Sequence, residues 1–341
     1  MSHSNISLFV PHAGCPHQCS FCNQKTISGS SEILTPEKVK CVLSDAVGHG
    51  NDPAQTEIAF FGGSFTAIER CYMVSLLEAA KPFVDRGFFS GIRISTRPDA
   101  IDSEVLDILK AYGVTAIELG AQSMDDGVLL ANHRGHTKRH IQDASVLIKK
   151  QGFSLGLQMM TGLYTDTPEK AMKTCEEIIK LRPDTVRIYP TIVLEGTELF
   201  NLLRNGGYSP QSTEEAVELC SQLLERFNEE NIRVIRLGLH SGGNVEEGYA
   251  AGPYHPAFGE LCESAIYLRK AKKLLSEKYP VNNGNLCSLS AKPKATVFVN
   301  PKEISKMTGQ KSSNKIKLYH DGWDIAVKGM NTLKKYEIII D

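Results

Sequence analysis

The sequence predicts an α/β fold: a partial or complete (β/α) barrel of the TIM type, followed by a small C-terminal α+β module. Three observations lead there. Short apolar runs alternate six or seven times with amphipathic stretches of helical period, the pattern of parallel βαβ units. The chain has 341 residues, enough for one large α/β domain or two ordinary ones. Its composition then shifts over Asn282–Lys294 toward Asn, Ser, Gly and Lys, which reads as a linker. The boundaries expected are a barrel core with its extension over 1–260, a helix and linker over 261–291, and a small basic module over 292–341. An open doubly wound sheet is the alternative architecture for the core.

The strand candidates are Ile6–Val10, Glu57–Gly62, Gly91–Thr96, Ala116–Gln122, Ser154–Thr161, Thr185–Thr191 and Ile232–Leu239. Between them the spacing predicts helices over Pro36–Ala46, Ala67–Val84, Ser103–Tyr112, Lys138–Lys150, Glu169–Leu181 and Glu214–Glu229. Thr35-Pro36-Glu37-Lys38 and Thr167-Pro168-Glu169-Lys170 each offer a Thr N-cap and a Pro at the first helical position. Ser212 and Glu215 have capping-box spacing. After the linker come a strand at Thr296–Val299, a short helix opened by Asn300-Pro301 and closed by Gly309, and further strand-like runs ending at Glu337–Ile340.

Hydrophobic residues make up 41% and charged residues 23% of the chain, which excludes wholesale disorder. No apolar run approaches the roughly 20 residues of a membrane helix. The polar start, Met1 to Asn5, does not read as a signal peptide, so the expected compartment is the cytoplasm. There, nine Cys mean thiols or metal ligands rather than disulfides. Net charge is −1, from 38 Lys+Arg against 39 Asp+Glu, which excludes a uniformly basic nucleic-acid coat but not a local patch. Residues 292–341 hold ten Lys against five acids, an excess of +5 that leaves −6 on the rest of the chain. A positive module on a negative core is a reasonable arrangement for docking RNA, and a solvated basic face is the plainer one.

The chemistry concentrates in Gly14-Cys15-Pro16-His17-Gln18-Cys19-Ser20-Phe21-Cys22-Asn23, directly after the first strand. Cys15, Cys19 and Cys22 fall within eight residues, spaced C-x3-C-x2-C. One loop can wrap these thiolates around one face of a small cluster. A [4Fe–4S] cluster normally takes four Cys; with three, one iron keeps an open position for a substrate or cofactor. Structural zinc, with His12 or His17 as fourth ligand, is the alternative. It would make the chain a zinc-bearing RNA-binding protein without catalysis.

With Phe21 as its aromatic position, this segment fills C-x3-C-x-aromatic-C and resembles the radical S-adenosylmethionine (SAM) family. The resemblance implies a [4Fe–4S] cluster on Cys15, Cys19 and Cys22 whose unique iron chelates SAM. It implies reductive cleavage of SAM to a 5′-deoxyadenosyl radical, fed by a low-potential electron donor of the flavodoxin or ferredoxin type. Phe61-Gly62-Gly63-Ser64-Phe65-Thr66, Thr96-Arg97-Pro98-Asp99, Glu118-Leu119-Gly120-Ala121-Gln122-Ser123, Arg134-Gly135-His136-Thr137 and Arg187-Ile188-Tyr189-Pro190-Thr191 follow in that order. Over roughly residues 8–240 they look like the radical SAM core of the elongator catalytic subunit, a tRNA wobble-uridine modifying enzyme. The branch therefore implies an RNA substrate, tRNA in particular; oxidation or decarboxylation of a small molecule, as in related anaerobic porphyrin-forming enzymes, is the rival. The elongator subunit has wider spacing between its first two cluster Cys. It also carries an acetyltransferase domain that this chain is expected to end too soon to hold, so acetyl transfer is not implied. Many family members have Gly-Gly-Glu where this chain has Gly62-Gly63-Ser64, which removes a carboxylate but leaves glycine backbone free to approach the methionine amino group of SAM.

Parallel barrel strands are usually near-continuous apolar runs, and these are not. With period two, Arg93, Ser95 and Arg97 share one face of the third strand, Glu118 and Gln122 of the fourth, Arg187 and Tyr189 of the sixth, and Arg236 and His240 of the seventh; Gln158 stands on the fifth. The economical reading turns this polar set into the barrel. Unpaired buried charge is costly, so Glu118 is expected to neutralise one or more of Arg93, Arg97 and Arg187. The resemblance places Phe21, Gly62, Gly63, Ser64, Ser95, Arg97, Gln122 and Gln158 around SAM, with Tyr189 and His240 toward the substrate. Arg134-Gly135-His136-Thr137 reads either as a contact to a polyanionic substrate or as an exposed loop. The remaining Cys41, Cys71, Cys175, Cys220, Cys262 and Cys287 read as free or buried thiols.

Overall fold

The computed structural model describes residues 4–10, 18–23, 32–50, 52–239, 245–279 and 292–341. Cys15, His12, His17, His240 and Cys287 lie outside the described residues, as does most of the expected linker. Among the described residues the chain divides into two compact units, Met1–Ser212 with Phe227–Tyr254, and Thr213–Arg226 with His255–Asp341.

The first unit is built on β1 (Ser4–Val10), β2 (Thr56–Gly62), β3 (Ile92–Thr96), β4 (Val114–Gln122), β5 (Ser154–Thr161), β6 (Thr185–Pro190), the two-residue β7 (Val193–Leu194), β8 (Arg233–Leu237) and β9 (Tyr249–Ala251). Seven of these form one sheet in the order β1-β2-β3-β4-β5-β6-β8, with every pair parallel; β7 and β9 make a separate antiparallel ribbon. A doubly wound sheet reverses its strand order at a switch point. This order runs in one direction, which decides for the barrel type. β1 and β8 stand at the two ends of the sheet, so the barrel is partial.

Helices Pro36–Gly48, Arg70–Asp85, Ser103–Ala111, Lys138–Lys150, Pro168–Leu181 and Thr213–Glu229 fall where the sequence places them, to within three residues. Both Thr-Pro starts cap as expected: Lys38 N donates to Thr35 Oγ1 at 3.2 Å and Lys170 N to Thr167 Oγ1 at 3.3 Å. Ile92, Ile94, Ile117, Leu119, Leu157, Met159 and Ile188, on the alternate strand face, are buried. That leaves the polar face for the barrel interior. Asp126–Ala131 and Glu198–Arg204 form short helices of six and seven residues, too brief to show a period in the sequence.

The second unit differs from the expected boundaries. Helix Phe258–Lys278 buries Tyr267, Ala271 and Leu275 in one core with Val297, Val299, Met307, Leu318 and Trp323. It is thus an integral element of the C-terminal unit rather than a connector. β10 (Lys294–Val299), β11 (Asp324–Gly329) and β12 (Ile339–Ile340) form its sheet in the order β11-β10-β12. Ser313–His320 is a second helix, where the sequence suggested only strand-like runs beyond Gly309.

Because Ile94 of β3 is fully buried in the seven-stranded sheet of the first unit, Ile94→Ala is expected to cost about 2–5 kcal/mol. The shift of the unfolding transition in urea checks it; a loss under about 1 kcal/mol, the range of a methyl deletion, would mean the face is loosely packed.

Candidate active site

Register carries one polar row across four strands. Gly120 of β4 pairs with Gln158 of β5, Gln158 with Arg187 of β6, and Arg187 with Arg236 of β8. The row beneath runs from Ser95 to Glu118 to Gly156. Paired residues in a sheet share a face, so these side chains meet inside the barrel.

They meet at Glu118, which is 1% exposed. Its carboxylate accepts four bonds: Arg187 Nε at 2.7 Å, Arg187 Nη2 at 2.8 Å, Arg93 Nη1 at 3.2 Å and Gln158 Nε2 at 2.9 Å. Arg93 also donates to Glu57 Oε2 at 2.8 Å, and Gln158 to Ser95 Oγ at 3.4 Å. Two guanidinium groups thus face two carboxylates, and the buried charge cancels. The Arg187 guanidinium also lies 5.4 Å from the centre of the Phe61 ring, a cation–π contact. The pairing is electrostatic in origin: the Glu118 charge beside Arg187 helps hold that guanidinium protonated against the cost of burial, and burial pushes the Tyr189 phenol up. Gly156 makes room for the carboxylate, since a Cβ there would stand 2.8 Å from Glu118 Cγ.

A second group lies at the C-terminal ends of the strands, around the cysteine loop. Cys19 is buried and Cys22 half-buried, and Cys22 N donates to Cys19 O at 3.1 Å, so one turn presents both sulfurs. Fully buried Asn132 clamps this turn: Ser20 N donates to Asn132 O at 3.3 Å and Ser20 Oγ to Asn132 Oδ1 at 2.7 Å. Asn132 in turn donates from Nδ2 to the carbonyls of Val128 and Tyr164. Two residues on, Arg134 Nη1 donates to Cys19 Sγ at 3.1 Å and Nη2 to Gly120 O at 2.8 Å.

The expected site residues divide between these groups. Ser95 and Gln158 belong to the Glu118 network. Arg97 does not. β3 ends at Thr96, and the Arg97 side chain turns aside to make two 2.8 Å bonds to Asp99 and one to the carbonyl of Arg134. Its alternation with Ser95 therefore breaks, and Glu118 neutralises Arg93 and Arg187 instead. Gln122 follows a bulge in β4 and has φ of +64°; its Oε1 is buried without a partner. Gly62 ends β2 beside β1 and Gly63 follows it, with Gly63 N donating to Val10 O at 3.1 Å. Phe21 is half-buried and Ser64 buried. Arg134 and His136 are buried too, while Gly135 and Thr137 are exposed, so the exposed-loop reading holds for the backbone turn but not for these two side chains. His136 is held neutral, pushed down to about 4 by burial and then by the Arg134 charge, so it cannot serve as a cationic clamp for a polyanion near neutral pH. Asn132 escaped sequence reasoning altogether.

This arrangement suits an iron–sulfur cluster and SAM. A buried guanidinium faces a cysteine sulfur with its Nε unpartnered, which complements an anionic thiolate–cluster set. Gly62 has φ of +118°, and a Cβ there would stand 2.6 Å from Val10 O, so only glycine keeps this backbone edge open. Residues 9–178 match the Radical SAM superfamily, and residues 183–268 match the Radical_SAM C-terminal domain.

The chain belongs to the radical SAM superfamily.

It is a radical SAM enzyme whose cofactors are a [4Fe–4S] cluster and SAM. Among relatives, the tRNA uridine(34) acetyltransferase of Methanocaldococcus jannaschii is 31% identical over 204 residues, covering 54% of this chain and 37% of that protein. Elongator complex protein 3 of Homo sapiens is 31% identical over 199 residues, covering 52% and 36%. The chain thus spans little more than a third of either. The structure of Elp3 from Methanocaldococcus infernus, lacking its N-terminus, superposes with a TM-score of 0.62 at 22% identity, over 82% of this chain and 64% of that one. SuiB of Streptococcus suis, bound to S-adenosylmethionine, gives 0.51 at 12% identity, over 70% and 50%. These two likenesses carry the fold. Among the described residues no helix is long and apolar enough to cross a membrane.

Two outcomes follow. Glu118→Gln leaves two buried guanidinium groups short of one charge, and the expected loss is about 3–5 kcal/mol, largely recovered if Arg187→Met accompanies it; additive losses in that cycle would refute coupling. For His136, the unfolded ring titrates near ~6.5 and the folded ring at about 4. Between those values the unfolded chain binds more protons, so stability falls as pH is lowered through that window. His136→Gln should flatten this slope in urea denaturation at pH 4.5 and 7.

Proposed function

We propose that this chain modifies an RNA, a tRNA foremost, using the cluster and SAM at the mouth of its barrel. The observation that carries the chemistry is the Cys19–Cys22 turn, clamped by Asn132 and Arg134 over a polar, charge-balanced interior. When bound, the cluster and SAM supply a one-electron route to hydrogen abstraction from substrate. The chain's own residues hold and orient. Cys15, Cys19 and Cys22 ligate the iron. Gly62 and Gly63 offer open backbone to the methionine end of SAM, with Phe21 and Ser64 beside them. Ser95 and Gln158, fixed through Glu118, line the floor; Gln122 offers its unpartnered amide oxygen. Arg97 contributes by holding the Arg134 segment. Tyr189 lies further along the same interior, toward substrate.

The RNA assignment is supported by the relatives, which are a tRNA uridine(34) acetyltransferase and an elongator subunit. Their likeness covers the radical SAM part, so acetyl transfer is no part of the proposal. The second unit supplies charge for docking: Lys311, Lys315 and Lys317 are exposed on and beside helix Ser313–His320, with Ile316 half-exposed between Lys315 and Lys317 and Tyr319 half-exposed beyond them, one face of its ring under the Lys292 ammonium. Cations that neutralise phosphates, with an aromatic face for a base, are what single-stranded or looped RNA needs. A flavodoxin- or ferredoxin-type protein would deliver the electron, and we place the reaction in the cytoplasm, where thiols stay reduced.

Anaerobically reconstituted protein should carry about four iron per chain and release 5′-deoxyadenosine from SAM under a strong reductant. Replacing Cys15, Cys19 or Cys22 by Ala should abolish that release; bound zinc without SAM cleavage would contradict the reading. For RNA, the triple variant K311E/K315E/K317E should bind tRNA more weakly and with a shallower dependence on salt. Unchanged affinity and slope would remove this helix as the docking face. Comparing tRNA nucleosides from cells with and without the protein would name the product.

A further inference from the structure

Resting on the radical SAM reading above, we propose that Arg134 is a positioning residue that sets the cluster's reduction potential through the Cys19 sulfur. The guanidinium is 8% exposed. It donates to Cys19 Sγ at 3.1 Å and to Gly120 O at 2.8 Å, and its Nε has no partner. Among the described residues no carboxylate forms an ion pair with it. The nearby Asp99 is engaged by both arms of Arg97, and Glu118 is saturated by Arg93, Arg187 and Gln158. A buried cation with no anion beside it is costly. By contrast Arg93 has two acids, Arg187 shares one and Arg97 holds one. Among the described residues, the group that can meet this charge is the sulfur of Cys19, as a thiolate carrying the cluster.

Both sides of this contact are held independently. The Arg134 carbonyl is fixed by Arg97 Nη2 at 2.8 Å, and its N–H donates to Leu129 O at 3.0 Å. The Cys19 turn is held by Asn132 through Ser20. The guanidinium is therefore pre-positioned on the sulfur. Reduction adds one negative charge to the cluster. A fixed positive donor at a ligating sulfur stabilises the reduced form more than the oxidised form, and so raises the potential. In a site that a low-potential donor must reduce, that shift eases electron entry.

The test is an EPR-monitored redox titration of the [4Fe–4S]2+/1+ couple in anaerobic, reconstituted protein, with iron content measured on each sample. The set is wild type, Arg134→Gln, Arg134→Lys and Ser20→Ala. At a fixed potential, Arg134→Gln should lower the ratio of reduced to oxidised cluster about tenfold, which is about 59 mV more negative for a one-electron couple. Arg134→Lys keeps the charge but loses the two-point reach to Sγ and the Gly120 carbonyl, and should move the same way by less. Ser20→Ala loosens the same turn without removing charge and should leave the potential in place. A fully loaded Arg134→Gln that titrates with wild type overturns the proposal, as does a Ser20→Ala shift as large as that of Arg134→Gln. Should Arg134→Gln hold no iron, Arg134→Lys decides, and a potential equal to wild type overturns it. Wild type that binds no cluster overturns the radical SAM reading and this proposal together, whereas a loaded cluster with an unmoved potential overturns only the role of Arg134.

Discussion

A single buried carboxylate, Glu118, ties the interior of the barrel together. It stands on the central strand β4 and takes donors from β3, β5 and β6. A parallel barrel of this size would ordinarily fill its interior with Val, Ile and Leu. Here the centre is hydrogen-bonded and ionic instead. Such a core contributes less stability than an apolar one of the same volume. What it provides is a polar floor of hydrogen-bonded side chains in place of hydrocarbon.

The floor and the cysteine loop are separate constructions that share β4. Glu118 anchors the floor from the middle of the strand. At its end, the bulge after Gly120 frees the Gly120 carbonyl for Arg134 and swings Gln122 into a left-handed conformation. Arg134 then spans from this strand end to Cys19. The same strand therefore anchors both the polar interior, through Glu118, and the guanidinium beside Cys19, through the Gly120 carbonyl.

Much of this was legible in the sequence. Strand alternation gave Ile92, Ile94, Leu119 and Met159 to one face and Arg93, Ser95, Glu118 and Arg187 to the other, and the cost of buried charge implied that Glu118 pairs with arginine. Three cysteines in eight residues are the expected iron ligands, and the structure places two of them, Cys19 and Cys22, on one turn. Legibility failed where a partner is distant or a local competitor stands close. Arg97 leaves the alternating face because Asp99, two residues away, captures it across a 3-10 turn. Arg134 and Cys19 lie 115 positions apart, and nothing in Arg-Gly-His-Thr distinguishes a buried donor from a surface loop. Helix Phe258–Lys278 looked like a connector because its buried residues only become a stripe once Val297, Leu318 and Trp323 are folded against them.

Cys15, Cys19 and Cys22 would hold a cluster with one iron left for SAM. The most direct measurement is the EPR spectrum of the dithionite-reduced protein before and after SAM is added. The account predicts a reduced [4Fe–4S]1+ signal whose g-values shift when SAM binds the open iron. A spectrum that SAM leaves unchanged, or a protein that carries zinc and no iron signal, would contradict it.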